Sequence, residues 1–286
     1  MIGGLSVDTL KEYLGGDAVD FNALRKLSRQ KGGFQSNEVR QFVWPVLLGV
    51  HETEIPKCVK SYIDSKHRDV QQINGDIERS LWKMDTVQEW SSERRQEERD
   101  RLERIINAVV SKNKNLHYYQ GFHDICTVFY LIFEDDGLTL SCLEALSLDF
   151  IHDAMRENFE TILELMRLVF VIIAEVDPEL HAYLVETKAE PFFTISWVLT
   201  WFAHDISVLE NVARLYDAIL CSHPVYILYL CSSFAMANRE ELMKKERDFG
   251  SVQNFFVKAP TAHGIPIEDT IEDADSIYSI FPEELL

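Results

Sequence analysis

Glycine and proline are scarce in this sequence, 12 and 8 in 286 residues, below the usual share of a soluble chain. Hairpin dipeptides flanked by alternating strands are hard to find, so a strand-rich fold is disfavoured and an all-α one expected. Cysteine is limited to Cys58, Cys126, Cys142, Cys221 and Cys231. The number is odd and no C-x-x-C pair occurs, which excludes a disulfide framework and a zinc knuckle and fits a reducing compartment. Positive charge is short: 28 Lys and Arg stand against 47 Asp and Glu, a net charge of -19. Such a field repels a phosphate backbone and argues against nucleic acid as a partner. Long hydrophobic runs are missing too. The N-terminus lacks the basic flank and apolar stretch of a secretion signal. The uncharged segment from Ala218 to Asn238 is interrupted by Ser222, His223, Pro224, Ser232 and Ser233, and reads as a turn followed by a buried helix, not a membrane span.

What is present is the mix of a soluble globular protein, 47% hydrophobic and 26% charged, long enough for one large domain or two lobes. Leu102, Ile105, Ile106, Val109 and Val110 follow the spacing of a core-facing helical stripe. The run Ser91–Arg101 before them carries mixed charge, with Glu97–Arg101 and Asp100–Arg104 at i, i+4, and reads as a solvated helix without a function. Asn113, Lys114 and Asn115 stop that helix, and a new apolar run begins after Gly121. Further helices are expected at Leu143–Met155, Thr161–Val176, Phe192–His204, Val208–Cys221 and Val225–Glu246, with a short docked helix in the acidic tail after Glu268.

Two segments could carry chemistry. In Ile73-Asn74-Gly75-Asp76-Ile77-Glu78-Arg79, the apolar positions Ile73, Ile77, Leu81 and Met84 share a face, and Asp76 and Arg79 lie beside each other away from it. Periodicity alone therefore makes them a surface ion pair left unburied by the stripe, worth a few tenths of a kcal/mol. The sharper reading is an arginine held by an aspartate and presented to a partner. In Leu116-His117-Tyr118-Tyr119-Gln120-Gly121-Phe122-His123-Asp124, Gln120 stands before a helix start, near the positive end of a helix dipole that attracts phosphate. Against this stands a plainer role, in which the tyrosines pack and Gln120 caps. His123-Asp124 also suggests the paired ligands of an all-α metal phosphohydrolase, but neither an H-E-x-x-H helix nor a second such dyad is present.

Arg40-Gln41-Phe42-Val43-Trp44-Pro45-Val46-Leu47-Leu48-Gly49 resembles the R-x-x-x-W-x-x-L-L-G opening of TBC domains, the Rab GTPase-activating proteins. Ile73-x-x-Asp76-x-x-Arg79 matches that family's I-x-x-D-x-x-R arginine-finger motif, and Tyr118-Tyr119-Gln120 its Y-x-Q glutamine-finger motif. Trp197 to Phe202 and Arg214-Leu215-Tyr216-Asp217 are similar to two later blocks. The resemblance runs from about residue 24 to the end, leaving residues 1–23 as an N-terminal extension and 24–286 as the domain. Its wording at His117–Asp124 and Ser196–His204 is closest to an ER-anchored member of early secretory, ER-to-Golgi traffic, whose C-terminal anchor would fall after Leu286. Most members follow the finger arginine with a hydroxyl, an aromatic and a proline. Here Ser80, Leu81 and Trp82 follow, and without the proline the helix is free to continue past Arg79.

The resemblance implies an all-α domain in two helical lobes that owns no complete active site. GTP, Mg²⁺ and the attacking water would be held by a partner Rab, with no cofactor or metal in this chain. Arg79 would place its guanidinium on the phosphate oxygens, with Asp76 holding it; Gln120 would orient the water, with Tyr118 supporting its loop. The location would be cytosolic, at the cytoplasmic face of the ER. Arg40, Trp44, Trp197, Arg214 and Asp217 are expected to build the core and its satisfied ion pairs. A non-catalytic Rab-binding scaffold would share the fold, and the metal phosphohydrolase is the remaining alternative.

Overall fold

The computed structural model describes residues 19–64 and 66–286, so residues 1–18 of the N-terminal extension lie outside it. Among the described residues there are helices and no strands. In chain order the α-helices are α1 (Phe21–Arg29), α2 (Asn37–Leu47), α3 (Val70–Ile77), α4 (Ser92–Lys112), α5 (Phe122–Phe133), α6 (Asp136–Asp149) and α7 (Glu160–Val176). They continue with α8 (Pro178–Glu186), α9 (Ile195–Thr200), α10 (Leu209–Leu220), α11 (Tyr226–Ala237), α12 (Arg239–Leu242), α13 (Phe249–His263) and α14 (Ile267–Ile280). Helix starts follow the capping rule: Asp20, Ser36, Ser91, Asp135, Asp177 and Asp248 each accept a backbone N–H from the first turn that follows. Pro178 opens α8, where its missing N–H costs nothing.

Helices α2 to α6 pack on one another around the long α4, and α7, α8, α9, α11, α13 and α14 form a second group. Helix α10 touches α1, α2 and α5 on one side and α14 on the other, and every residue of it from Val212 to Leu220 is buried. Its polar residues are therefore tied up. Asp217 accepts from Arg40 Nε (3.1 and 3.2 Å to its two oxygens), from Trp44 Nε1 at 2.9 Å and from Phe34 N at 3.1 Å. The other Arg40 donors reach both oxygens of Glu210 at 2.7 Å and Asn37 at 3.0 Å. Burial works against the charge on Arg40, but Glu210 and Asp217 outweigh it and raise its pKa. Arg214 binds Glu268 and the carbonyls of Ser28 and Gln30. Gly33 approaches this knot so closely that a Cβ would stand 2.6 Å from Asp217 Oδ2.

Three expected helices differ. The one expected over Leu143–Met155 starts seven residues earlier in α6 and yields to a 3₁₀ turn, His152–Met155, because Asp135 caps it and side-chain periodicity does not register a cap upstream. Phe192–His204 is a 3₁₀ turn, Pro191–Thr194, followed by the short α9. Trp201 and Phe202 then take left-handed backbone angles, φ 49° and 64°, so the chain turns at a point where the apolar run continues. Val225–Glu246 divides at Asn238, whose amide bonds back to Phe234 O. The tail helix docks on α11 as α14, and Leu209–Leu220 and Glu160–Val176 fall within a residue of expectation.

Candidate functional site

Helix α3 ends at Ile77, and Glu78 and Arg79 form a turn in which Arg79 N donates to Asp76 O and Ser80 N to Ile77 O. Leu81 adopts φ 55° and buries its side chain. The helix thus stops before Arg79 without any proline, contrary to the expectation that it runs on. The left-handed Leu81 cannot continue a right-handed helix, and α4 holds the segment that leaves it: Arg99 donates through Nε and Nη2 to Ser80 O at 3.1 and 2.8 Å, while Arg95 donates to the carbonyls of Leu81 and Trp90. Arg95, read from sequence as part of a solvated face, is 3% exposed. The paired Arg95 and Arg99 at i, i+4 were the available signal. The expected Glu97–Arg101 pair gives way to bonds from Arg101 to Glu98 at 2.9 Å and Asp136 at 2.7 Å.

Arg79 leaves 71% of its side chain open, whereas the Asp76 side chain is 4% exposed, and Nη2 donates to Asp76 Oδ1 at 2.7 Å. The pair is not the wholly surface one that the stripe suggested. Asp76 is covered by Tyr118, whose hydroxyl donates to Asp76 Oδ2 at 2.9 Å, and no periodicity within one helix can register a cover from another segment. Burial, and then the adjacent Asp76 carboxylate, push the Tyr118 pKa well up, so it stays a donor. His123 Nδ1 lies 3.0 Å from the same hydroxyl. An aspartate with both oxygens engaged holds one edge of the Arg79 guanidinium and leaves its remaining donors to the groove.

Gln120 is exposed at the end of an extended stretch, His117 to Tyr119. That stretch is fixed at both ends: Tyr118 N donates to Asp69 Oδ2 at 3.1 Å, and the Tyr119 hydroxyl to Leu199 O at 2.7 Å. Gly121 follows with φ 110°, and a Cβ there would come within 2.9 Å of Thr200 Cγ2, so glycine is required both by backbone angle and by the approach of α9. Gly121 itself caps α5 and receives no side-chain bond. Among the described residues the Gln120 amide has no hydrogen-bond partner, so it does not cap, and its functional atoms are free.

Arg79 and Gln120 line one groove of about 300 Å³ with Trp82, Lys83, His123 and Asp124. Gln120 also borders a larger concavity of about 690 Å³ that extends toward Arg156 and Phe159. Asp85 ties the segment beyond Trp82 to the start of α10, its N–H donating to Ser207 O and its carboxylate accepting from Leu209 N. His123 and Asp124 do not behave as a ligand pair: His123 bonds the Tyr118 hydroxyl and Asp124 accepts from His204 at 2.9 Å. Among the described residues no three His, Cys, Asp or Glu side chains are placed to hold a metal ion. Nor is any helix there long and apolar enough to cross a membrane.

The structure thus brings an exposed arginine and an exposed amide, on two loops of an all-α scaffold, to one groove. Residues 37–243 match the family model of the Rab-GTPase-TBC domain, and the chain belongs to that family. It is 31% identical over 276 residues to TBC1 domain family member 20 of Mus musculus, covering 96% of this chain and 67% of the relative. It is 28% identical over 226 residues to the GTPase-activating protein gyp10 of Schizosaccharomyces pombe, covering 79% and 59%. Its fold superposes on the crystal structure of the Chlamydomonas flagellar RabGAP TBC domain with a TM-score of 0.73 at 16% identity, over 94% of this chain and 89% of that one.

Proposed function

We propose that this chain stimulates GTP hydrolysis on a Rab-family GTPase by inserting Arg79 and Gln120 beside the bound nucleotide. The observation that carries this reading is the shared groove: two exposed side chains with free donors, Arg79 anchored through one nitrogen to Asp76 and Gln120 carried on a loop fixed by the buried bond from Tyr119 to Leu199 O. Phosphoryl transfer is largely a matter of positioning and of neutralising charge on the transferred group, so an activator need only add donors in fixed places. The partner supplies GTP, Mg²⁺ and water, and this chain needs no cofactor of its own. Arg79 bridges phosphate oxygens with the fork that Asp76 leaves open. Gln120, with one donor group and one acceptor oxygen, orients the attacking water, and Tyr118 keeps Asp76 and the Gln120 loop in register. An arginine finger supplied in trans is worth about three to five decades of rate in G proteins generally.

We further propose a place for this activity in ER-to-Golgi traffic, at the cytosolic face of the ER, on the resemblance of His117–Asp124 and Ser196–His204 to an ER-anchored member of the family. The test is single-turnover hydrolysis on a panel of GTP-loaded Rabs, those of early secretory traffic included. Stimulation of one or more Rabs that is lost in Arg79→Ala supports the reading; binding without stimulation would make the chain a scaffold. Hydrolysis of free nucleotide that EDTA abolishes, with no GTPase present, would establish the metal phosphohydrolase instead.

A further inference from the structure

Of the five tryptophans, Trp44, Trp197 and Trp201 are buried in the core and Trp90 is half-buried, while Trp82 is 55% exposed. Exposing so much of the largest apolar side chain leaves its hydrophobic surface unused in this fold. Nor is the ring loose. The Arg95 guanidinium carbon stands 3.8 Å from its centroid and that of Arg99 5.2 Å. The same two groups hold the Leu81 and Ser80 carbonyls. The indole therefore rests on cations that are themselves fixed by the finger loop, and little side-chain freedom remains to be lost on contact. It lines the same groove as Arg79 and Gln120, so a surface that brings phosphate to Arg79 must also cover Trp82. Beside it, exposed Lys83 lines that groove as well, its positive charge partly met by Asp205 and Asp124.

We propose that Trp82 is a partner-contact anchor, taking an apolar side chain of the GTPase that is flanked by a carboxylate facing Lys83. This rests on the reading that Arg79 meets a GTPase-bound nucleotide. A preorganised, exposed aromatic at the centre of a contact is the usual form of a binding hot spot. The role belongs to association and not to the chemical step: Trp82 sets how tightly, and which, GTPases are engaged, while Arg79 and Gln120 set the rate once engaged.

The experiment combines kinetics with tryptophan emission. Trp82→Ala should raise the KM for the GTPase about tenfold, with kcat within about twofold of the parent, and Trp82→Phe should recover most of the loss. The emission of Trp82, taken as the difference between parent and Trp82→Phe, should shift to the blue when a GDP–aluminium fluoride-loaded GTPase is added, because the indole leaves water. That second readout needs only the parent and the conservative variant, so it holds even if the alanine variant unfolds. An unshifted difference spectrum with a bound GTPase would overturn the proposal, as would a fall in kcat at constant KM, which would make Trp82 a support for the arginine loop. A blue shift on binding without stimulated hydrolysis would uphold the anchor and defeat the two-finger reading. If no GTPase binds, both fall.

Discussion

Two arginine–aspartate pairs in this molecule could hardly differ more in place. Arg40 is fully buried, with its donors committed to Asp217, Glu210 and Asn37. Arg79 is 71% open and commits one nitrogen to Asp76, whose other oxygen is taken by Tyr118. Saturated donors hold helices together; an anchored fork with donors to spare is the form that the proposed role of Arg79 requires. In both pairs the aspartate is buried and the arginine's surroundings decide its use. The difference also separates the cost of losing each, since losing Arg40 strips a fully buried carboxylate of its cation, while the exposed Arg79 contributes little to stability and Asp76 keeps the Tyr118 hydroxyl as a donor.

The comparison breaks most severely at Arg40. Arg40→Met should cost on the order of 3–5 kcal/mol, because Asp217 remains buried with only Trp44 and Phe34 as donors; a urea melt measures it, and a loss under 1 kcal/mol would show the knot to be replaceable. At Arg79 the loss should move from stability to rate. Arg79→Lys keeps the charge and loses the fork, so activation of a responsive Rab should fall by roughly two decades, about 3 kcal/mol, with an unchanged melt. Near-parental activation would leave Arg79 as half of an ion pair and no more. Gln120→Ala should show a similar collapse with binding and melt retained, and full activation by that variant would assign the water to the partner.

Smaller effects sharpen the boundary. Tyr118→Phe removes one of the donors to the buried Asp76 carboxylate and should cost about 1–3 kcal/mol in stability, with a loss of activation smaller than that of Arg79→Lys. Equal melts for Tyr118→Phe and the parent would show that Asp76 does not depend on its cover. The least effect is one of pH. The hydrogen bond to Asp124, above all, raises the pKa of His204 over its ordinary 6.5, with partial burial opposing. A histidine whose pKa is raised by folding stabilises fully below its unfolded value and loses that contribution as pH rises through the folded value. The melting temperature should therefore decline slightly between about pH 6.5 and the alkaline side of the raised pKa. Asp124→Asn should flatten that slope, and an equal slope in both proteins would remove the pair from the account.

Much of this could be read before any coordinates. Low glycine and proline, the lack of hairpin dipeptides and the 3.6-residue stripe at Leu102–Val110 sufficed for an all-α fold, and the order of the motif blocks for the family. The helices legible in sequence were those whose apolar period runs unbroken from end to end, as in α7 and α10, neither of which has a side-chain N-cap. Where an apolar run crosses a turn, as at Trp201–Phe202, hydrophobicity carries no mark of direction and the reading overran.

The sequence by itself determined helix content, charge, the identity of Arg79 and Gln120 as candidates, and the spacing that sets each in its motif, because these depend on neighbours a few residues apart. Tertiary structure decided that Asp76 is buried beneath a tyrosine 42 residues away, that α4 arginines hold the segment leaving α3, and that Arg79, Gln120 and Trp82 line one groove. Burial and hydrogen-bond partnership are properties of segments brought together from far along the chain, and local periodicity contains no term for them.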